Sequence, residues 1–227
     1  MRLLLKLSGE LLGENGVSFD EALKLAYVLK ECKNNGHELC VVVGGGNLWR
    51  GRSHGEMNIT DSDSIGMLAT CMNAVCLKSA LNKIGVKSTI MSSVNLKFTS
   101  DYNTDKALEL IKDEVIILAG GLGIPCLSTD TTAAVRGSEL AVDYILKGTN
   151  VDGVYDSDPR VYENAIKYDR LSFRDAIDKK LNIMDTSAFE ICSKNNIKLL
   201  VYNASDLNNI IRVCNGETIG TIVDNYE

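Results

Sequence analysis

The residues of this chain best suited to chemistry are a triple glycine followed by an arginine, a lysine set alone among leucines, and an aspartate at the head of a helix. Val41-Val42-Val43-Gly44-Gly45-Gly46-Asn47-Leu48-Trp49-Arg50-Gly51 runs from β-branched residues through glycines to a guanidinium. Glycines bring backbone N–H groups close to an anion with no Cβ in the way. Arginine adds a planar fork of donors that matches phosphate. Lys6 lies between Leu5 and Leu7 and is followed at once by Ser8-Gly9-Glu10. By itself it reads as a charge snorkelling from an edge strand, because lysine is seldom buried unpaired. With a small flexible turn directly after it, it reads as a second anion site. The two sites together can hold both ends of a polyphosphate.

Three further features carry two readings each. Asp130, after Ser128-Thr129, is either a helix N-cap or a carboxylate that orients cations or a metal-bound phosphate. Asp63 either complements a helix dipole or meets a ligand. The segment from Lys147-Gly148-Thr149 to Asp158-Pro159 reads as a hairpin with Asp152-Gly153 at its tip. A hairpin there is compatible with a site in which Tyr155 lies along a base and Asp158 accepts from a ribose. Two familiar phosphate loops are excluded. A GxGxxG fingerprint needs glycine where Trp49 stands, and Gly46-to-Ser53 has Arg52 in place of the Walker lysine.

The elements that must position these residues follow from periodicity. Residues 3–7, 39–43, 86–91, 115–119, 144–146 and 198–201 are short apolar runs that predict strands, with 221–223 as a further candidate. Helical spacing predicts helices from Asp20 to about 34, from Asp61 or Ser62 to about 83 after a connection at 57–60, over 104–112, from Asp130 to about 142, near 172–180, 185–195 and 205–214. Strands alternating with helices predict a mostly parallel sheet covered on both faces. Ligands of such sheets bind at the carboxyl ends of the strands. The loops after Leu7, Val43, Ala119 and Leu146 hold the unusual residues, including a second glycine loop, Gly120-Gly121-Leu122-Gly123-Ile124-Pro125.

Composition bounds the rest. The chain has 227 residues, 45% of them hydrophobic and 24% charged, which predicts one domain over 1–227 with a full core. A net charge of −6 with no basic stripe argues against nucleic acid and for small anionic ligands. Seven scattered cysteines without a CxxC pair read as reduced thiols rather than a disulfide framework. With only two histidines there is little material for a zinc cluster or a Ser-His-Asp triad, and no metal-ligating set is assigned. The leucine run at the N-terminus is broken by Lys6, too early for a signal peptide, and the longest uncharged run, 115–129, is too short and glycine-rich to span a bilayer. The expectation is a soluble, cytoplasmic protein with no membrane partner.

Taken in order, these pieces resemble the amino acid kinase family, and within it the bacterial-type UMP kinases. The carrying text is Lys6-Leu7-Ser8-Gly9-Glu10, Gly44 to Gly51, Gly66-Met67-Leu68-Ala69-Thr70 with Met72-Asn73, Pro125 with Ser128-Thr129-Asp130, Val151-Asp152-Gly153-Val154-Tyr155 with Asp158-Pro159, and Met184-Asp185. The resemblance implies an α/β fold, a three-layer αβα sandwich with a mostly parallel central sheet. It implies transfer of the ATP γ-phosphoryl to UMP, giving UDP, with Mg²⁺ accompanying ATP. Lys6, Leu7, Ser8, Gly9, Gly46, Arg50, Thr149, Tyr155 and Asp158 then correspond to ATP contacts. Gly45, Asp63 and the run Leu122, Gly123, Ile124, Pro125, Cys126, Leu127, Ser128 and Thr129 correspond to UMP contacts. Lys6, Arg50, Asp130 and Lys147 correspond to the catalytic set, with the N-terminal part of the chain on the acceptor side and the C-terminal part on the ATP side. The resemblance also implies a homohexamer with GTP and UTP as effectors.

Two departures stand out. The acceptor loop of that group usually reads Thr-Gly-Asn-Pro. Leu122 and Ile124 offer none of the side-chain hydrogen bonds of threonine and asparagine, which leaves the base to the loop's backbone groups. The N-terminus is also short for the group, a difference that bears on regulation or assembly. Two rival readings remain: a family enzyme with another acceptor, a different nucleotide or a carboxylate, and a nucleotide-binding sensor without turnover.

Overall fold

The computed structural model describes residues 1–51, 55–181 and 183–226. Arg52, the residue that departs from a Walker lysine, lies outside the described residues, as do Ser53 and His54. The elements are, in order, β1 (Arg2–Leu7), α1 (Phe19–Asn34), β2 (Glu38–Val43), α2 (Ile59–Lys83), β3 (Ser88–Ser92), β4 (Ser100–Asp101), α3 (Thr104–Leu110), β5 (Val115–Ala119), α4 (Thr129–Glu139), β6 (Tyr144–Thr149), β7 (Val154–Tyr155), β8 (Lys167–Tyr168), β9 (Arg170–Ser172), α5 (Phe173–Asp178), α6 (Thr186–Lys194), β10 (Lys198–Asn203), α7 (Asn208–Cys214) and β11 (Thr221–Asp224).

Among the described residues, β4-β3-β5-β2-β1-β6-β10-β11-β9 form a nine-stranded sheet in that order, and β7 and β8 pair separately. From β4 to β10 every neighbour is parallel, and only β10 and β11 run antiparallel. The central strands are apolar throughout because both faces are covered, and all of β5 is buried. Strand alternation sorts the side chains between the two faces. Leu3, Leu5 and Leu7 pack with α1, α2 and α7, whereas Leu4 packs with α4, α5 and α6. Lys6 shares the parity of Leu4, and Lys147 that of Ile145, so both lysines belong to the α4 face. The sheet with its two helix layers is the expected αβα sandwich.

The helix starts differ from the sequence expectation. Ser18, not Asp20, caps α1, its Oγ accepting from Glu21 N at 3.3 Å. Asn58 caps α2 by accepting from Thr60 N at 2.9 Å, so the helix begins ahead of Asp61 and takes in part of the expected connection. In both cases the cap is the residue whose extended ψ lets its side chain fold back onto free N–H groups. A 3-10 turn at Gly9–Leu12 and the two-residue strand β4 are too short to carry a periodicity in the sequence. By length and composition alone α2 could cross a membrane, yet it packs against α1, β3 and β5.

Candidate active site

At the carboxyl ends of β1 and β6, Lys6 and Lys147 are register partners on adjacent parallel strands. Asp130, in the first turn of α4, reaches both. Lys6 Nζ lies 2.8 Å from its Oδ1 and Lys147 Nζ 2.5 Å from its Oδ2. Asp130 is free to do this because the capping is done by Ser128, whose Oγ accepts from Asp130 N and Thr131 N at 3.0 Å each. The sequence left cap and cation-orienting carboxylate open for Asp130; the geometry separates the two roles between neighbours.

Electrostatics follow from this packing. Burial pushes Asp130 toward the neutral acid, and the ammonium groups of Lys6 and Lys147 overcome that push, so its carboxyl stays below the usual range. Lys147 is lowered to about 8, first by burial and then by the charge of Lys6, with Asp130 opposing both.

Asp185 supports the arrangement from α6. Its Oδ1 accepts from Ala188 N and from Thr131 Oγ1, each at 2.8 Å, and its Oδ2 accepts from Ser128 Oγ. The starts of α4 and α6 are thereby tied together. The sequence marks Asp185 only as the start of a helix; a capping aspartate that also gathers hydroxyls from another helix leaves no local signature.

The triple glycine bends over this floor. An added Cβ on Gly45 would lie 2.8 Å from Ala69 Cβ and 2.9 Å from Gly66 O, so Gly45 lets β2 and α2 approach, whereas a Cβ on Gly46 would meet nothing within 4 Å. None of Gly44, Gly45 and Gly46 has a left-handed φ; those conformations belong to the second loop, at +73°, +56° and +73° for Gly120, Gly121 and Gly123. Asn47 and Asn73, both buried, exchange side-chain hydrogen bonds at 2.8 and 3.1 Å, and Asn73 also donates to Gly44 O at 2.8 Å. This amide pair locks the loop to α2. Only an amide on the buried face of an apolar helix pointed to it in the sequence. Arg50 is exposed at the rim, paired with Glu10 and donating from Nε to Gly46 O at 3.1 Å.

Two cavities open beside these residues. A cleft of about 1080 Å³ is lined by Lys6, Ser8, Arg50, Lys147, Thr149, Tyr155 and Asp158. Leu7, buried on the opposite face, and Gly9, against which Asn47 and Gly44 pack, do not line it. Thr149 Oγ1 closes its own turn by donating to Val151 O at 2.7 Å, and Tyr155 OH donates to Asp152 at 2.6 Å. The Asp158 carboxylate faces Arg160, which donates through Nε at 3.0 Å and Nη2 at 2.8 Å. The expected hairpin with Asp152-Gly153 at its tip is not formed: β7 pairs antiparallel with β8 across residues 156–166, so Asp152-Gly153 leads into the ribbon instead of turning it.

The smaller cavity, about 180 Å³, takes Gly45, Gly46, Trp49 and Asp63 from one side and Ile124, Leu127 and Thr129 from the other. Asp63 Oδ2 accepts from Cys126 N at 2.7 Å and ties α2 to the second loop. Ile124 is 60% exposed. Leu122, Gly123, Pro125, Cys126 and Ser128 belong to the same loop without lining the cavity. Arg50 on Gly46 and Asp130 next to Thr129 make the two cavities neighbours.

The amino acid kinase family matches residues 1–203. The chain belongs to the amino acid kinase family. A curated relative, the uridylate kinase of Limosilactobacillus reuteri (strain DSM 20016), is 42% identical over 231 residues, 98% of this chain and 96% of the relative. Among solved structures, the UMP kinase from Bacillus anthracis is similar with a TM-score of 0.95 at 28% identity, covering 100% of this chain and 96% of that one. The UMP kinase from Ureaplasma parvum gives 0.93 at 35% identity, with 99% of each chain covered. As an amino acid kinase family fold, the sheet holds its cations and glycine loops at the carboxyl edge, where open parallel sheets bind ligands.

Proposed function

We propose that this chain is a UMP kinase that transfers the γ-phosphoryl group of ATP to UMP, forming UDP. The observation that carries the reading is the pair of ammonium groups, Lys6 and Lys147, held on Asp130 where the two cavities meet. Uridylate kinase as the name of the relative at 42% identity supports UMP as acceptor.

ATP occupies the larger cleft, with its phosphates at Lys6, Ser8 and Arg50, its adenosine toward Thr149 and Tyr155, and Asp158 beside the ribose. UMP occupies the smaller cavity, with Gly45 under its phosphate, Asp63 toward its ribose and the loop from Leu122 to Thr129 around its base. Residues 1–227 act as one kinase domain, acceptor side mainly N-terminal and ATP side mainly C-terminal. In-line phosphoryl transfer demands positioning and charge neutralisation rather than covalent chemistry. Lys6 and Arg50 neutralise the transferring group from different sides, and Gly46 leaves open space for a phosphate to approach the backbone. Asp130 keeps the two lysines together against their mutual repulsion. A general base is unnecessary, since the UMP phosphate is already a nucleophile.

Magnesium arrives as part of the substrate, on the ATP phosphates, because this ion keeps phosphate and water ligands readily. The donor set fits that role: the oxygens of Asp130 face ammonium groups, while Glu10 and Asp158 each face an arginine. A homo-oligomer, hexameric by family resemblance, is supported by Leu68, Met72 and Val75, exposed along α2. The free thiols of all seven cysteines fit a reducing cytoplasm.

The test is ADP release with UMP, CMP, dTMP, AMP, aspartate and glutamate as acceptors. UMP is expected to give the highest kcat/KM. Equal or better turnover with another acceptor removes the substrate assignment, and no turnover with any of them leaves a nucleotide-binding sensor.

A further inference from the structure

We propose that Arg136, acting through Ser93, is a positioning residue for the acceptor loop at 120–127 and thereby sets the affinity for the acceptor nucleotide; this rests on the UMP kinase reading above. Neither side chain lines either cavity, and neither belongs to the Lys6–Asp130–Lys147 cluster.

Arg136 lies in α4 and is 8% exposed. Its guanidinium is fixed from three directions. Nη1 donates to Glu139 Oε2 at 2.6 Å, Nη2 donates to Ser93 Oγ at 2.8 Å, and Cζ sits 3.5 Å from the Tyr102 ring centroid. Ser93 Oγ in turn donates to Gly121 O at 2.8 Å. The direction of this relay is forced, because a guanidinium can only donate and a carbonyl can only accept. The hydroxyl between them accepts one bond and gives the other, and a charged donor polarises the chain of bonds.

The end of the relay is a wall of the smaller cavity. Gly121 lines it with Ile124 and Met67. The loop approaches Ser93 so closely that an added Cβ on Gly123 would lie 2.7 Å from Ser93 O. From the other side Thr70 Oγ1 accepts from Gly120 N at 2.9 Å. The loop is thus clamped between α2 and the segment after β3, and Arg136 supplies the charged end of the clamp. Leu122 and Ile124 cannot hydrogen-bond a base through their side chains. Loop backbone groups must then meet the base, and their placement depends on the clamp. The same helix holds the phosphate-side lysines through Asp130 and the base-side loop through Arg136.

Ser93→Ala removes the relay oxygen with little change of volume, and Arg136→Lys keeps the charge but loses the planar fork. Affinities are measured by equilibrium titration of the full chain with UMP and with ATP, next to steady-state KM values and a thermal melt. The expected result is a Kd and KM for UMP raised about three- to tenfold in Ser93→Ala, with the ATP values within about twofold of wild type. Arg136→Lys is expected to show the same split. Unchanged UMP affinity, or equal losses for UMP and ATP in folded Ser93→Ala, overturns the proposal. A wild-type protein that binds UMP without phosphorylating it removes the UMP kinase reading and leaves the relay to be judged on the titrations alone.

Discussion

Lys6 and Lys147 stand side by side in register on β1 and β6, and each places its ammonium group on a different oxygen of Asp130. Two cations at neighbouring sheet positions repel, and the shared carboxylate is what holds them. Asp130→Asn is expected to leave two largely buried charges without an anion and to destabilise the fold by about 3–5 kcal/mol, read as a lower urea midpoint. Lys6→Ala keeps the Lys147–Asp130 pair. It is expected to fold, by circular dichroism, while kcat falls by roughly two to three orders of magnitude. Retained turnover would remove Lys6 from the mechanism.

The same pair predicts a pH dependence. Lys147 is lowered to about 8 by burial and by Lys6, so the folded protein releases that proton before the unfolded chain does. Between about pH 8 and the ordinary lysine range the unfolded chain binds more protons at this residue, and its contribution to stability rises with pH there. Activity runs the other way, because the cation is lost. The kcat/KM for ATP is expected to fall on an alkaline limb near pH 8. Lys147→Arg, which stays charged, should move that limb upward, and an unmoved limb would assign it to another group.

Neighbouring glycines should behave differently. Gly45→Ala drives a methyl into Ala69 and the Gly66 carbonyl, an overpacking expected to cost about 1–3 kcal/mol in chemical denaturation. Gly46→Ala meets open space. Its melting temperature should stay near wild type while the nucleotide KM values rise, as a methyl intrudes at the edge of the smaller cavity beside Arg50, where a phosphate approaches. Equal destabilisation of both variants would contradict this division.

The acceptor loop can be given back its polar side chains. The double substitution Leu122→Thr with Ile124→Asn adds hydrogen-bonding groups at the loop around the base. The ratio of kcat/KM for UMP over CMP is expected to rise, since polar sites discriminate strongly through the bonds they demand. An unchanged ratio would mean that the base is read elsewhere.

Much of the architecture could be read locally. The apolar runs at 3–7, 39–43 and 115–119 are strands because such sequences satisfy a sheet buried on both faces. Alternation with helices required them to be parallel, and that put Lys6, the triple glycine, the second glycine loop and Lys147 at one edge. Sequence pattern places two helix starts two to four residues late, at Asp20 and at Asp61 or Ser62, since Ser18 and Asn58 compete with nearby residues and only backbone ψ decides between them.

Which residues meet across the site was beyond the sequence. Local pattern could not choose between cap and charge bridge for Asp130, because both place an aspartate at a helix start. Parallel pairing of β1 with β6, separated by most of the chain, brought Lys147 beside Lys6, and the packing of α4 on that face brought Asp130 to both. The Asn47–Asn73 pair, the Glu10 partner of Arg50 and the relay from Arg136 through Ser93 to Gly121 join residues distant in sequence. Residue types and spacing determined which groups this chain brings to its sheet edge, since each strand and turn is a local solution. Only tertiary packing decided their partners, because contacts between distant segments depend on strand order and helix docking, which no short stretch of sequence encodes.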